Sequence, residues 1–318
     1  MVGNLVGGFL ALAWWGMLLL PVSGLASQWH DPLYDVCLTG TRQIAVGYYG
    51  TILLSEDGGD TMSQVPSSTK ELLVCLCFPD ADHGWVVGDN GTILATSDGG
   101  RTWKKQNSGV TKYLTGVYFV SPRKGWVVGQ NGTILYTSDG GAHWESQQSG
   151  ERVIRLESVR FLDEKNGVVV GEYGTILSTS DGGNTWKFIF KEGDILAFTC
   201  LVNARSTLYS VDFWGDEVGV AVGVDGCIMR TRDRGETWTE VRSPTTNCLY
   251  RVKFIDGNVY AVGQHGTLLS STDQGRNWTL VPLPKEKSFF WYYGIAGKGR
   301  EIFMVGEDGI TLKQSKAN

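Results

Sequence analysis

The fold is decided by a recurring phrase, Val87–Leu94 (VGDNGTIL), which returns as Val128–Leu135 (VGQNGTIL) and as Val170–Leu177 (VGEYGTIL). Weaker copies begin at four further valines, Val46, Val222, Val262 and Val305. The second glycine of each copy marks the period: Gly50, Gly91, Gly132, Gly174, Gly226, Gly266 and Gly309. Seven copies spaced about 41 residues apart predict a seven-bladed β-propeller.

Each copy divides into four short apolar runs separated by turn residues. In the third copy these runs are Leu114–Phe119, Gly125–Val128, Thr133–Thr137 and a fourth that begins at Trp144. Asn-Gly pairs such as Asn131-Gly132 supply the positive φ of a two-residue hairpin between the second and third strands. The pattern therefore predicts an all-β protein with four-stranded blades.

A second phrase, Thr96–Trp103 (TSDGGRTW), lies between the third and fourth strands and is an Asp box. Its aspartate can accept backbone N–H groups across the turn, its glycines permit left-handed conformations, and its tryptophan buries a large ring. We interpret the box aspartates as structural: Asp57, Asp98, Asp139, Asp181, Asp233 and Asp273. No twelve-residue calcium loop with a terminal glutamate follows any of them.

The last copy ends without a box or a tryptophan, so it lacks a fourth strand. The segment Ser27–Trp29 precedes the first inner strand much as Trp103 precedes Leu114. We expect this N-terminal segment to join the last blade, closing the ring and covering an open sheet edge. The propeller domain would then span residues 27–318.

Residues 1–26 are predicted to be a secretory signal peptide. The run from Val6 to Leu20 is almost wholly apolar, and small residues follow Pro21 at the cleavage positions. The segment before the run has no Lys or Arg, so an uncleaved anchor stays as the alternative. Either interpretation predicts an exported protein, which is membrane-associated if the segment is kept.

Charge and composition exclude several classes of partner. The formal net charge is −5 and the sequence pI is about 5.5, which disfavours a general affinity for nucleic acid or for an anionic membrane surface. The four histidines lie in different repeats, so we predict no metal site and no small-molecule cofactor. Six cysteines in an exported chain allow 15 pairings, among which the sequence does not choose.

Three places are candidate partner-binding sites. The long connector Lys187–Thr207 is apolar around Phe198 and forms either a binding flap or an extra strand of blade four. Tyr48 and Tyr49 lie near the aromatic run Phe289–Tyr293, part of which must be core. Blade five carries a basic patch formed by Arg230, Arg232 and Arg234. The alternative is that these arginines only pair with Asp216, Glu217 or Glu236.

The residues give little support for catalysis. A sialidase would need an arginine cluster, a Tyr–Glu pair and an acidic residue on the loop face. Glu172 and Tyr173 are adjacent on a tight turn and should diverge, and the other hairpin carboxylates are predicted to be solvated. We predict a non-enzymatic protein without catalytic residues, with a glycan-binding or glycan-cleaving propeller as the alternative.

The whole predicted domain resembles the photosystem II stability and assembly factor family. The phrases that carry the resemblance are Gly84–Gly88 (GWVVG), Gly125–Gly129 (GWVVG) and the Asp boxes. The resemblance implies a seven-bladed propeller in a lumen or periplasm that works as a chaperone-like factor. It also implies a newly made membrane protein as partner, a reaction-centre subunit precursor in photosynthetic members, bound partly through an arginine patch.

Overall fold

Each repeat forms one antiparallel sheet whose strands lie side by side in chain order. A computed structural model of the protein describes residues 30–150, 154–190, 200, 206–299 and 301–315. Seven such sheets follow one another, and the inner strand of each contacts the inner strand of the next. The predicted seven-bladed all-β propeller is confirmed.

Six blades have four strands. Blade 1 contains β1 (Leu33–Thr39), β2 (Arg42–Gly47), β3 (Ile52–Ser55) and β4 (Ser63–Gln64). Blade 2 contains β5 (Leu73–Cys77), β6 (Gly84–Gly88), β7 (Ile93–Thr96) and β8 (Lys104–Gln106). Blade 3 contains β9 (Leu114–Phe119), β10 (Gly125–Gly129), β11 (Ile134–Thr137) and β12 (Glu145–Gln147).

The remaining blades continue the series. Blade 4 contains β13 (Leu156–Phe161), β14 (Gly167–Gly171), β15 (Ile176–Thr179) and β16 (Lys187–Phe188). Blade 5 contains β17 (Leu208–Trp214), β18 (Val218–Gly223), β19 (Ile228–Thr231) and β20 (Thr239–Glu240). Blade 6 contains β21 (Leu249–Ile255), β22 (Asn258–Gly263), β23 (Leu268–Ser271) and β24 (Thr279–Leu280). Blade 7 shows three strands in the described range, β25 (Tyr292–Lys298), β26 (Glu301–Gly306) and β27 (Thr311–Ser315).

The two faces of the ring carry different loops. On one face the Asp boxes bond to the turns between first and second strands, as when the N–H of Gly99 donates to the carbonyl of Asp82 at 2.8 Å. On the other face the hairpins between second and third strands bond to the connectors between blades, as when the N–H of Gly174 donates to Ser206 at 2.9 Å. We call these the box face and the hairpin face.

The hairpin loops have three residues where two were predicted. The N–H of Gly129 donates to the carbonyl of Thr133 at 3.0 Å, which encloses Gln130, Asn131 and Gly132. The positive φ expected of the Asn-Gly pair is present, at 60° and 68°. The extra residue has a use, because the N–H of Gln130 bonds to the carbonyl of Tyr113 at 2.8 Å and ties the loop to the connector.

The glycine that ends each second strand is required by close approach of two chain segments. A Cβ on Gly88 would lie 1.8 Å from the carbonyl oxygen of Leu72, and a Cβ on Gly129 would lie 2.3 Å from that of Tyr113. Any side chain there would push the connector off the blade. The repeated Val-Gly of the deciding phrase is therefore a packing signal as well as a turn signal.

Aromatic rings fill the spaces between neighbouring blades. Trp126 is fully buried and stacks on Phe161 of the next blade with ring centroids 3.4 Å apart, and Trp85 stacks on Phe119 at 3.5 Å. The box tryptophan Trp186 meets Phe161 edge-on. The core is thus a series of wedges between sheets instead of one central cluster.

Blade 7 packs directly on blade 1 and closes the ring. The rings of Tyr34 and Tyr293 stack at 5.1 Å, and Ala296 and Val305 share a buried cluster with Leu33. The pairing predicted for Ser27–Trp29 lies outside the described residues and stays a prediction. Within those residues, no helix has the length and apolar character needed to cross a membrane.

Candidate functional site

The six box aspartates share one set of hydrogen bonds. In the box of blade 2, Oδ1 of Asp98 accepts the N–H of Thr102 at 2.9 Å and the hydroxyl of Thr96 at 2.7 Å, while Oδ2 accepts the hydroxyl of Thr102 at 2.6 Å. Asp57, Asp139, Asp181, Asp233 and Asp273 repeat this pattern. A carboxylate used in this way closes its own turn, as the structural interpretation expects.

These bonds hold the aspartates in the ionised form. Burial alone would raise the pKa of Asp98, but the hydroxyl and N–H of Thr102 and the hydroxyl of Thr96 lower it to about 2. At Asp57 the hydroxyl and N–H of Thr61 and the hydroxyl of Ser55 also lower the pKa. Each bond stabilises the charged form because a carboxylate accepts hydrogen bonds more strongly than a carboxylic acid.

We therefore expect acid to unfold the propeller through its boxes. An unfolded aspartate titrates near about 3.9. The depressed folded pKa stabilises the protein above that value, and this stabilisation is lost as pH falls towards about 2. Melting temperatures measured from pH 5 to pH 2 should fall steeply below about pH 4. The variant Asp98→Asn should show a shallower fall, and an identical slope in variant and wild type would contradict this origin.

The basic patch of blade 5 is built differently from the prediction. Arg230 lies on β19 and is 6% exposed. Its Nε donates to the carbonyl of Gln274 in blade 6 at 2.8 Å, and its Nη2 is buried without a hydrogen-bond partner. Burial and the charges of Arg276 and Arg232 lower the pKa of Arg230. The prediction that the guanidinium groups of Arg230, Arg232 and Arg234 lie close together near the rim is wrong for Arg230, which is buried.

Arg234 also departs from the predicted patch. Its guanidinium pairs with Asp163 of blade 4 at 2.9 Å and with Asp216 at 3.6 Å. Its side chain is therefore directed away from blade 6, and the pairing alternative with Asp216 describes it. Arg232, the second residue of the box, is exposed. Arg276, from the box of blade 6, acts on Arg230 through its charge, and the predicted patch did not include it.

We call Arg230, Arg232 and Arg276 the arginine cluster. The junction of blades 1 and 2 can be compared with it directly, because the equivalent positions there are Leu54, Glu56 and Arg101. In that junction Arg101 pairs with Glu56 at 2.6 Å beside a 320 Å³ cleft. In the described part of the chain none of the three clustered arginines has a carboxylate within 4 Å.

The carboxylate whose charge acts on Arg230 is Asp273, and its oxygens are already hydrogen-bonded within the box of blade 6. Asp273 accepts the hydroxyl of Ser271 at 2.7 Å, the N–H groups of Arg276 and Asn277, and the amide of Asn277 at 2.7 Å. It therefore closes the box of blade 6 and makes no salt bridge with the guanidinium groups, although its charge acts on Arg230. The buried Nη2 of Arg230 has no hydrogen-bond partner, and an unsatisfied buried donor is unfavourable, so this site is suited to bind an anionic group from outside.

Tyr48 and Tyr49, two further predicted binding residues, lie on the hairpin face. Tyr48 and Tyr49 are 49% and 55% exposed, and the ammonium of Lys70 lies 5.5 Å from the ring centroid of Tyr49. Phe198 lies outside the described residues, so its role and the choice between flap and strand stay predictions. Cys200 of the same connector forms a disulfide with Cys227 at the start of β19. The sequence had left this pairing open.

The central channel holds two ion pairs that the sequence analysis did not anticipate. Arg251 pairs with Asp35 across blade 7 at 3.3 Å, and Arg160 pairs with Asp212 at 3.1 Å. Both carboxylates are buried and accept backbone N–H groups of the next blade, from Leu76 and Phe254. The channel encloses 420 Å³. Charged residues at inward positions of inner strands were the signal that could have found these pairs.

Catalytic geometry is not assembled at the hairpin carboxylates. Glu172 accepts the N–H of Arg155 at 3.0 Å, and Glu307 accepts the N–H of Trp291 at 3.3 Å, so both fasten connectors. Tyr173 is 51% exposed beside Glu172. No group of three or more His, Cys, Asp or Glu side chains in the described ranges could hold a metal ion.

The box tryptophans are turned inward. Trp103, Trp238 and Trp278 are buried, and their indole N–H groups donate to box carbonyls at 3.0–3.1 Å. Trp144 and Trp186 are half-buried and donate to Gln106 and Gln147. These rings serve the packing between blades, as the structural interpretation of the boxes expects.

Comparison with solved structures supports the fold. A structure described as YCF48 bound to D1 peptide is similar with a TM-score of 0.71 and 20% identity, covering 92% of this chain and 93% of that one. YCF48 from Cyanidioschyzon merolae also gives 0.71 and 20%, covering 91% and 97%. An inactive virginiamycin B lyase from Staphylococcus aureus with quinupristin gives 0.72 and 12%, covering 92% and 97%. At these identities the likeness shows the fold alone.

The sequence itself carries the family assignment. None of the curated proteins compared matches the chain. The family model described as photosynthesis system II assembly factor YCF48 matches residues 61–113, 108–192, 151–244 and 199–289, which together run without a gap from 61 to 289. By this match over more than half its length, the chain belongs to the photosystem II assembly factor YCF48 family.

Proposed function

We propose that this protein is an exported, non-enzymatic scaffold that binds a carboxylate-bearing segment of a membrane-protein subunit during assembly. The arginine cluster carries the proposal, because the charges of Arg232 and Arg276 act on Arg230 and none of the three makes a salt bridge within the described residues of an acidic chain. Arginine is well suited to this task, since its planar guanidinium makes paired bonds to carboxylates. The relative whose structure is described as bound to D1 peptide supports a membrane-protein partner.

Two exposed members of the cluster can be changed without disturbing the core. Arg232→Glu combined with Arg276→Glu reverses two charges on the box face. We expect affinity for a synthetic D1 peptide, measured by fluorescence anisotropy, to fall at least about tenfold at low salt. Binding by the wild type should weaken as salt rises, because an exposed charge contact is screened.

A matched control separates a local site from net charge. Lys104→Glu combined with Lys105→Glu makes the same charge change on exposed positions of β8. This control should bind as the wild type does. Equal losses in both variants would show that overall charge governs binding, and an unchanged affinity of the arginine variant would remove the cluster from the proposal.

The predicted residues elsewhere remain candidate contacts for the same partner. Phe198→Ser in the same assay tests the long connector as an apolar flap. If this variant loses affinity while Arg232→Glu with Arg276→Glu keeps it, the partner docks on the connector. Turnover of a glycan that a single carboxylate substitution abolishes would instead support the enzymatic alternative.

A further inference from the structure

The hairpin face presents aromatic side chains to solvent at the tips of its loops. Tyr48 and Tyr49 in blade 1, Tyr173 in blade 4 and Phe289 in the connector before blade 7 are 49%, 55%, 51% and 70% exposed. Two other large apolar side chains are exposed to a comparable degree among the described residues: Trp214 on the box face, at 43%, and the aliphatic Leu280 on the outer strand of blade 6, at 57%. The aromatic surface is therefore concentrated on one side of the ring.

Two of these tyrosines are held in an unfavourable backbone conformation. Tyr49 and Tyr173 have φ of 54° and 56°. The same loop position is taken by residues that tolerate the left-handed region in most other blades: Asn90, Asn131, Asp225 and Asp308. A bulky aromatic residue there is strained, and these two rings gain little burial in exchange. Strain of this kind at exposed residues indicates a role in binding.

The arrangement of the tips selects a flat partner. The tips of blade 1 and of the connector before blade 7 lie on either side of blade 7, and the tip of blade 4 lies across the central channel from them. They are separated by polar loops such as those of Asn90, Asn131 and Asp225, so they form no continuous groove. An extended surface that meets all the tips at once is needed, and a lipid bilayer is such a surface.

The path of the chain points to the same partner. The N–H of Tyr48 donates to the carbonyl of Pro32 at 3.0 Å, so the chain enters the propeller on the hairpin face beside Tyr48. The apolar run Val6–Leu20 precedes this entry point in the sequence. If this run is kept as an anchor, it tethers the propeller through the face that carries the aromatic tips.

We propose that the hairpin face docks on the interfacial layer of a lipid bilayer, with Tyr48, Tyr49, Tyr173 and Phe289 entering the headgroup region. Tyrosine suits this region because its ring is apolar and its hydroxyl remains hydrated. Exposed lysines stand beside two of the tips, Lys70 next to Tyr49 and Lys285 in the connector of Phe289. Asp89, Asp225 and Asp308 occupy other tips, so aromatic insertion should contribute more than attraction to anionic lipid.

This docking is independent of the arginine cluster, which lies on the opposite face. A bilayer under the hairpin face would leave the box face turned towards the aqueous compartment. Segments of a membrane protein that extend into that compartment could then reach Arg232 and Arg276. Failure of either proposal would leave the other unaffected.

The test measures each aromatic side chain separately. The full chain is exposed to hydroxyl radicals with and without phosphatidylcholine vesicles that contain phosphatidylglycerol, and oxidation is mapped by mass spectrometry. We expect oxidation of Tyr48, Tyr49, Tyr173 and Phe289 to slow severalfold on adding vesicles, while Trp214 keeps its rate. Site-resolved protection is used because the N-terminal run could hold every variant on vesicles.

A variant pair makes the result decisive. Tyr49→Asn with Tyr173→Asn introduces a residue that other hairpins use, so the fold should be kept and Phe289 should lose most of its protection. Trp214→Ser, the control on the box face, should leave protection unchanged. Unaltered oxidation of the tips, equal protection of Trp214, or protection by a D1 peptide without lipid would each overturn the proposal.

Discussion

Replacing Trp126 by alanine is expected to lower the free energy of unfolding by about 3–5 kcal/mol. The indole is fully buried, stacks on Phe161 at 3.4 Å and donates to the carbonyl of Gly182 at 3.2 Å. Its removal leaves a cavity between blades 3 and 4 and takes one of two donors from the carbonyl of Gly182, to which Gln147 still donates at 3.0 Å. Because the wedge joins two sheets, local relaxation cannot close the gap.

Urea unfolding measures this loss, and the chain offers two controls. Trp126→Val should cost less than alanine, because Val168 takes the equivalent place in blade 4. Trp214→Ala removes the same side chain from an exposed position and should change stability by about 0.5 kcal/mol or less. Equal losses at Trp126 and Trp214 would contradict the wedge model of the core.

Replacing Arg251 by leucine is expected to destabilise the ring by about 3–5 kcal/mol. Asp35 would stay buried with its negative charge and without the guanidinium that lies 3.3 Å away. The backbone N–H groups of Val36 and Leu76, at 3.0 and 3.1 Å, would then be its remaining compensation. The pair connects blades 6 and 1 across blade 7, so its loss acts on the closure of the ring.

A double variant separates an unpaired charge from lost packing. Arg251→Leu with Asp35→Asn removes both charges and should recover much of the stability in urea unfolding. If the double variant is as unstable as Arg251→Leu alone, the arginine contributes through its aliphatic packing. If Arg251→Leu is as stable as the wild type, the buried pair does not close the ring.

The strands could be predicted from the sequence because each blade repeats the same local chemistry. The positive φ of Asn131 and Gly132, the aspartate bonds of the boxes and the inward tryptophans all act within one turn or between adjacent sheets. Such features recur at each period and are visible as a pattern. The family resemblance rested on the same repeated phrases, and the family match confirms it.

The irregular pairing of the inner strands could not be predicted in this way. A bulge at the start of every inner strand places two consecutive residues of one strand against one residue of its neighbour, as at Tyr34 and Asp35. This irregularity collects tyrosines at the hairpin end of the channel: Tyr34, Tyr209, Tyr250 and Tyr293. Burial, together with the neighbouring Tyr34, raises the pKa of Tyr293 to about 12.

The orientation of Arg230 illustrates the same limit. The sequence places Arg230 and Arg232 two residues apart on one strand, which predicts a shared flank. The strand ends at Thr231, however, and the box turn redirects the chain. Arg230 thus lies between two sheets and Arg232 lies in solvent. The hydrogen-bond partner of Arg230, Gln274, comes from the next repeat, at a distance in sequence that no local pattern reveals.

The box turn has a consequence for how a new binding surface can arise in this ring. Its hydrogen bonds use the first, third, fifth and seventh residues, which are Thr231, Asp233, Gly235 and Thr237 in blade 5. The side chains of the second and sixth residues take no part in the aspartate bonds, and they are Glu56 and Arg101 at one junction but Arg232 and Arg276 at another. If the arginine cluster binds as proposed, point mutations at these positions can move the binding surface around the circumference without reshaping the turn. Substituting Leu54→Arg and Glu56→Arg beside Arg101 would place a second copy of the cluster on the opposite side of the ring.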